Sequence, residues 1–310
     1  MRILVVGAGG TGGYFGGRLL EAGRDVTFLV RPRRAAELAE VGLTISSPCG
    51  DVSIPSPPHV LAGQLDRPFH LILLSCKAYD LESAMGDFAP AVGAETAILP
   101  LLNGMRHIER LTARFGEPAV LGGLCAISAT LGEQGQVLHL NTSHSLSFGE
   151  RQGGRSARVE AIAEIMEGAR FDWHASDAIL LAMWEKWVLL ATVAGITCLM
   201  RAAIGDVVAA GGSALVLELL EESRSIAAHQ GYRPDAAFLD KTRSLLTDPD
   251  SPLMASMLRD IERGARVEAD HVIGDLLERA PVRPEQHRSL LRIAYVHLKS
   301  YEIRRAREGA

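Results

Sequence analysis

Six residues near the start of the chain, Gly7-Ala8-Gly9-Gly10-Thr11-Gly12, have the type and spacing to hold a pyrophosphate. Gly7 permits a tight turn, Gly9 lets backbone approach phosphate oxygens, and Gly12 lets the next helix pack close to the strand before it. The phosphates then meet the unpaired N–H groups and positive end of that helix. A lone G-x-G-x-x-G is a weak signal in a chain with 31 glycines. Here it follows the apolar run Ile3-Leu4-Val5-Val6 directly and leads into a helical segment, the context the motif requires.

Further candidates lie where strands are expected to end. Arg31 stands 19 residues past Gly12, where an NAD-preferring site usually carries Asp or Glu for the ribose 2′-hydroxyl, and Arg33 and Arg34 follow it. Guanidinium groups bind a 2′-phosphate by charge and fork geometry, so the expected cofactor is NADPH. The plainer reading is a solvated basic turn. Lys77, after the apolar run ending Leu73-Leu74-Ser75-Cys76, is placed to reach phosphate, ribose or carboxylate, or else is an exposed loop lysine. Asn103, in Leu102-Asn103-Gly104, suits a carboxamide or a substrate oxygen, although Asn-Gly is also an ordinary turn pair.

Lys186 is the more unusual residue, since Met183-Trp184-Glu185-Lys186-Trp187 places one charged pair in a largely apolar helix. Desolvation lowers a lysine pKa and suits it to proton donation; the competing reading is a lysine that snorkels to the surface. Glu185 should point away from it, because sequence neighbours do not share a helix face. Ser256 and Glu268 read, by composition alone, as solvated residues. No H-E-x-x-H or other zinc spacing occurs among the 10 histidines, and there is no G-x-S-x-G, so no metal site is expected.

These residues need an alternating scaffold. Strands are expected at Asp25–Val30, Leu43–Ser46, Val52–Ile54, His70–Ser75, Thr96–Leu102 and Ala119–Thr130, with helices at Tyr14–Ala22, Leu81–Val92 and Met105–Phe115. Short hairpin-like strands follow around Gln136–Leu140 and Ser145–Glu150, then a helix at Arg158–Gly168 and a strand at Phe171–His174. That order predicts an α/β Rossmann-type N-terminal domain, residues 1–176, with a mainly parallel sheet. Residues 177–310 read as an all-helical domain, with helices at Ser213–Gly231, Pro234–Leu246, Leu253–Gly264, His271–Ala280 and Pro284–Ala306. A cleft between such domains is a common place for substrate.

Bulk properties limit the partners. The chain has 310 residues, 47% hydrophobic and 22% charged, ordinary for a soluble protein. A net charge of −5 and the lack of basic tracts with aromatics exclude nonspecific nucleic-acid binding. Cys49, Cys76, Cys125 and Cys198 are widely spaced, which fits a reduced interior. No signal peptide is expected before the first strand, and the apolar stretch Trp187–Met200 is read as a buried helix too short to span a bilayer. A cytoplasmic protein without membrane partners is the expectation.

The segments GAGGTG (Gly7–Gly12), SCKAYD (Ser75–Asp80), LNGM (Leu102–Met105), MWEK (Met183–Lys186), SMLRDI (Ser256–Ile261) and VEAD (Val267–Asp270) resemble, in order and spacing, the 2-dehydropantoate 2-reductase (ketopantoate reductase) family. The resemblance runs nearly end to end. It implies an NADP-binding Rossmann domain joined to a helical domain, an active site in the cleft, and reduction of a 2-oxo acid to a 2-hydroxy acid with NADPH. It implies Lys186 as the catalytic acid, Glu268 as the group that positions or tunes it, and Ser256 on the substrate carboxylate. Asn103 would lie beside nicotinamide and substrate, Lys77 beside the cofactor, and Arg31 on the 2′-phosphate. A homodimer is a family-level expectation.

One departure concerns substrate. The family's usual asparagines four and eight residues past the lysine are replaced here by Leu190 and Ala194. A pocket built to hydrogen-bond a substrate group discriminates strongly against ligands lacking it, so losing two amides changes the substrate accepted. A reductase or dehydrogenase of a more apolar ketone, hydroxy acid or imine is therefore an alternative. A noncatalytic NADPH-sensing protein is another, although a sensor needs none of Lys186, Glu268 and Ser256.

Overall fold

A computed structural model describes residues 1–281 and 288–309. The chain divides into two compact units: Met1–Leu102 with His107–Ile179, and Asn103–Arg106 with Leu180–Ala310.

The first unit carries ten strands: β1 (Arg2–Val6), β2 (Asp25–Leu29), β3 (Leu43–Ser46), β4 (Val52–Ile54), β5 (His59–Val60), β6 (Leu71–Leu74), β7 (Ala97–Pro100), β8 (Gly122–Leu131), β9 (Val137–Gly149) and β10 (Asp172–Ala175). One sheet has the order β5-β2-β1-β6-β7, and its pairs are parallel. Its inner strands are buried on both faces: Ile3, Leu4 and Val5 of β1 and all four residues of β6 are 0% exposed. That is why they read as unbroken apolar runs. The second sheet has the order β10-β9-β3-β4, with β8 antiparallel to β9.

Helix α1 (Gly10–Glu21) touches strands of both sheets, and its glycines make the approach possible. A Cβ on Gly16 would sit 2.6 Å from the Phe28 ring of β2, one on Gly17 2.7 Å from Ile45 of β3, and one on Gly13 2.7 Å from Val137 of β9. The remaining helices of this unit are α2 (Pro32–Val41), α3 (Leu81–Phe88), most of α4 (Arg106–Phe115) and α5 (Ala157–Met166).

Two strand expectations need correction. The expected hairpin pieces at 136–140 and 145–150 are one strand, β9, and its register with β8 jumps between Ile127↔His144 and Ala129↔His139. The exposed polar residues 141–143 break the alternation there, and Asn141 bridges the gap by accepting from the Ser128 N–H. Strand β5, two residues long, is too short to leave a pattern.

The second unit is helical among the described residues: α6 (Ile179–Met200), α7 (Ile204–Ala209), α8 (Ser213–His229), α9 (Ala236–Leu246), α10 (Ser256–Glu262), a π-helical turn Asp270–Gly274 running into α11 (Asp275–Glu278), and α12 (Leu290–Arg307). Residues 284–287 of the last expected helix lie outside the described residues. Helix α6 has 22 residues, so by length and composition it could cross a bilayer, against the expectation of a stretch too short to do so. Its packing is that of a core helix: Trp187, Val188, Ala191 and Cys198 are at most 1% exposed. Thr192 Oγ1 lies 3.5 Å from Ser223 Oγ on α8, and a Cβ on Gly195 would meet Leu219 of α8 at 2.7 Å. Burial pushes the Cys198 thiol up to about 12, so it stays protonated.

Candidate active site

The glycine loop closes on itself. Gly7 has φ +94°, a value that favours glycine, and its N–H donates to the Leu29 carbonyl at 2.9 Å. A Cβ on Gly12 would lie 2.1 Å from Gly7 O and 2.2 Å from Ser75 Oγ, so any side chain there would force loop and helix apart. Ser75 Oγ in turn donates to the Val6 carbonyl at 2.9 Å, a support for the turn that no sequence signal announced. Around Gly9 there is open space: nothing lies within 4 Å of a Cβ built there. A Cβ on Gly10, by contrast, would lie 2.6 Å from Ala129 O of β8.

Helix α1 begins with Gly10-Thr11-Gly12; among the described residues no side chain caps it and its first turn holds no acid. Its leading amides and positive dipole end therefore suit an anion. An open Gly9 beside an uncapped helix start fits a dinucleotide pyrophosphate.

Arg31 stands at the N-cap position of α2, makes no side-chain cap bond there, and donates through Nη2 to Asp80 Oδ1 at 2.9 Å. The Asp80 carboxylate holds the Arg31 guanidinium pKa above its usual value. Arg33 and Arg34 both pair with Glu37, at 3.1 and 3.0 Å. Arg34 Nε also donates to Ala8 O at 3.0 Å, tying α2 to the glycine loop. Lys77 follows β6 by three residues and is half-buried, its carbonyl accepting from the Asp80 N–H at 2.9 Å.

The second unit brings Asn103 and Lys186 together. Lys186, on α6, donates from Nζ to Asn103 Oδ1 at 3.1 Å. His271 of the π-turn also meets Asn103, its ring hydrogen-bonding the Asn103 backbone. Gly104 has φ +77°, and a Cβ there would sit 2.9 Å from His271 O. Burial pushes the His271 imidazole below its ordinary pKa, against the carboxylates of Glu268 and Asp275, which favour its charged form.

The π-turn is anchored at several points. Trp187 Nε1, next to Lys186, donates to Val272 O at 2.8 Å. Asp275, 2% exposed, accepts from Arg106 Nε at 3.3 Å and from Arg279 Nε at 3.1 Å. Neither His271 nor Asp275 stood out in the sequence, because a single π-turn has no periodicity of its own. Such turns are frequent at functional sites.

Glu268 is 8% exposed and lies at the entrance to the π-turn, its carbonyl accepting from Val272 N at 3.0 Å. Ser256 is the exposed first residue of α10, and its neighbour Ala255 donates to Thr197 Oγ1 of α6 at 3.3 Å. Glu185 turns from Lys186 and accepts from the Asp235 N–H at 3.1 Å. On α6, Leu190 is half-buried one turn past Lys186, and Ala194, two turns past, is 3% exposed. Among the described residues no group of three or more His, Cys, Asp or Glu could hold a metal ion.

Comparison with known proteins places this geometry in a lineage. Residues 3–153 match the family described as Ketopantoate reductase PanE/ApbA, and residues 178–282 match Ketopantoate reductase PanE/ApbA C terminal. The uncharacterized oxidoreductase YkpB of Bacillus subtilis (strain 168) is 38% identical over 303 residues, 97% of this chain and 99% of that one. The structure of 2-dehydropantoate 2-reductase from Geobacter metallireducens GS-15 superposes with a TM-score of 0.86 at 27% identity, over 97% of this chain and 99% of that one. A structure of D-mandelate dehydrogenase with NADH and anilino(oxo)acetate shares the fold, with a TM-score of 0.86 at 21% identity, over 99% and 100% of the two chains.

Proposed function

The chain belongs to the ketopantoate reductase PanE/ApbA family of oxidoreductases, and from that premise we propose that it reduces the carbonyl of a 2-oxo acid to a 2-hydroxy acid with NADPH. The observation that carries the reading is the Lys186–Asn103 hydrogen bond, 3.1 Å between residues 83 positions apart. An ammonium fixed in direction by an amide oxygen is what carbonyl reduction needs. A bound nicotinamide dinucleotide supplies the hydride. Lys186 stabilises the charge that builds on the carbonyl oxygen and donates the proton to it. Asn103 accepts one of the three lysine N–H groups and so sets the direction of the ammonium.

In the same reading Glu268 keeps Lys186 positioned and charged, and Ser256 takes the substrate carboxylate. Gly7, Gly9, Gly10, Thr11 and Gly12 form the loop and helix start that hold the pyrophosphate, Arg31 takes the 2′-phosphate, and Lys77 lies along the cofactor. Leu190 and Ala194 favour a second reading of the substrate. One and two turns past Lys186, they offer no hydrogen bond, so a carbonyl compound with an apolar substituent fits better than a hydroxylated one.

The test is NADPH oxidation by the purified protein against a panel of 2-oxo acids and ketones that includes ketopantoate. Turnover of 2-oxo acids supports the proposal, and ketopantoate as best substrate would remove the apolar alternative. Tight NADPH binding with no turnover of any carbonyl compound would overturn the enzymatic reading in favour of a sensor.

A further inference from the structure

We infer that Asp80 is a second determinant of cofactor choice: its carboxylate, paired with Arg31, weakens the hold on a 2′-phosphate and offers an acceptor to a ribose 2′-hydroxyl, so the chain takes NADH as well as NADPH. The inference rests on the dinucleotide site of the proposed function. Its ground is where the Asp80 carboxylate goes. Asp80 ends the 3-10 turn Ala78–Asp80 and stands before α3 with helical backbone, a conformation that does not favour accepting from the helix's own first amides. Among the described residues it makes no such cap bond and instead receives Arg31 Nη2 at 2.9 Å, across 49 positions. The carboxylate is committed to the guanidinium that is expected to take the phosphate.

Two consequences follow from charge. A 2′-phosphate drawn to Arg31 approaches a fixed negative carboxylate, with Asp87 acting on the same guanidinium from farther off. The neighbouring Arg33 and Arg34 share a single carboxylate, Glu37, so one positive charge remains there and Asp80 weakens the hold on a phosphate without abolishing it. A 2′-hydroxyl meets no repulsion, and a carboxylate is the acceptor that NAD-binding sites use for it. The pair is partly exposed, Arg31 by 64% and Asp80 by 33%, so solvent screens it and the effects are moderate.

The experiment is equilibrium titration of NADPH and NADH, followed by quenching of tryptophan fluorescence, with the full-length protein and its D80N, R31A and D80N/R31A variants. Thermal melting checks that each variant is folded. For D80N, the expected result is roughly threefold tighter NADPH and roughly threefold weaker NADH, changes of the size a screened ion pair allows. In the R31A background, D80N should still weaken NADH. A weakened hold on NADPH in D80N would overturn the inference and make Asp80 a positioning group for Arg31; an unchanged ratio of the two affinities would also overturn it. If the unaltered protein binds neither dinucleotide, the oxidoreductase reading itself fails, an outcome distinct from either of these.

Discussion

Lys186 Nζ and Asn103 Oδ1 meet at 3.1 Å, although one residue lies on a long apolar helix and the other in an Asn-Gly turn. The turn owes its position to His271, which bonds the Asn103 backbone and crowds Gly104. Imidazole, amide and ammonium thus form one chain of contacts, with the ammonium at its end.

Replacing the ammonium tests that chain at its end. Lys186→Met is expected to lower kcat by about 10²- to 10⁴-fold, the usual contribution of a general acid. The dissociation constant for NADPH should stay nearly unchanged. Steady-state kinetics with a cofactor titration checks this; full turnover in the variant removes Lys186 from the proton-donor role.

The turn can be disturbed without touching either polar side chain. Gly104→Ala places a Cβ in a left-handed backbone, 2.9 Å from His271 O. It should cost about 1–3 kcal/mol of stability and swing Asn103 off Lys186, with kcat lowered and cofactor affinity kept. A variant that keeps wild-type kcat would show that the Asn103–Lys186 bond is incidental to turnover.

Substrate preference should follow the face of α6. Leu190→Asn combined with Ala194→Asn supplies two amides one and two turns past Lys186. The ratio of kcat/KM for hydroxylated against apolar 2-oxo acids is then expected to rise at least about tenfold. If both substrate types change equally, those positions do not line the part of the site that selects the substrate.

Acid should loosen the protein through one buried and one half-buried histidine. Burial holds the His271 imidazole below its ordinary value of 6.5, so the unfolded chain binds the proton more readily than the folded one. Stability from this group is complete above 6.5 and is lost as pH falls below it towards the folded value. His144, also lowered by burial, adds to the same window. Melting curves from neutral to mildly acidic pH should show this fall, flatter in His271→Gln; a variant as pH-sensitive as the parent would exclude His271 as a source.

Asp275 sits between Arg106 and Arg279 with its side chain 3% exposed. Asp275→Asn leaves two guanidinium groups without their shared anion and is expected to cost about 3–5 kcal/mol. Chemical denaturation followed by the tryptophans of α6 measures it. A midpoint equal to wild type would mean that Glu278 and solvent compensate fully.

How far the sequence could be read depended on whether a feature is local. Gly7 to Gly12 declare a turn and a close approach within six residues, and β1 and β6 declare burial by unbroken apolar runs. Lys186 stood out because α6 is otherwise almost free of charge. Asp80 and His271 did not, because their meaning lies in partners, Arg31 and Asn103, that are 49 and 168 positions away. The π-turn at Asp270–Gly274 was read as plain helix, since one extra residue per turn shifts no pattern long enough to detect. Strand β9 was read as two because its exposed middle, residues 141–143, breaks the alternation on which such readings depend.

The glycines of α1 carry a lesson for anyone who maps this protein by mutation. Gly13, Gly16 and Gly17 lie inside the helix beyond the phosphate loop, each with a side chain from a different strand where its own Cβ would be. A saturation screen scored by turnover will mark them as intolerant as Gly9, although the constraint on them is packing. Only a screen that scores folded yield separately from cofactor retention can tell the two kinds of glycine apart: losses at Gly13, Gly16 and Gly17 will register in the first measure, and losses at Gly9 in the second alone.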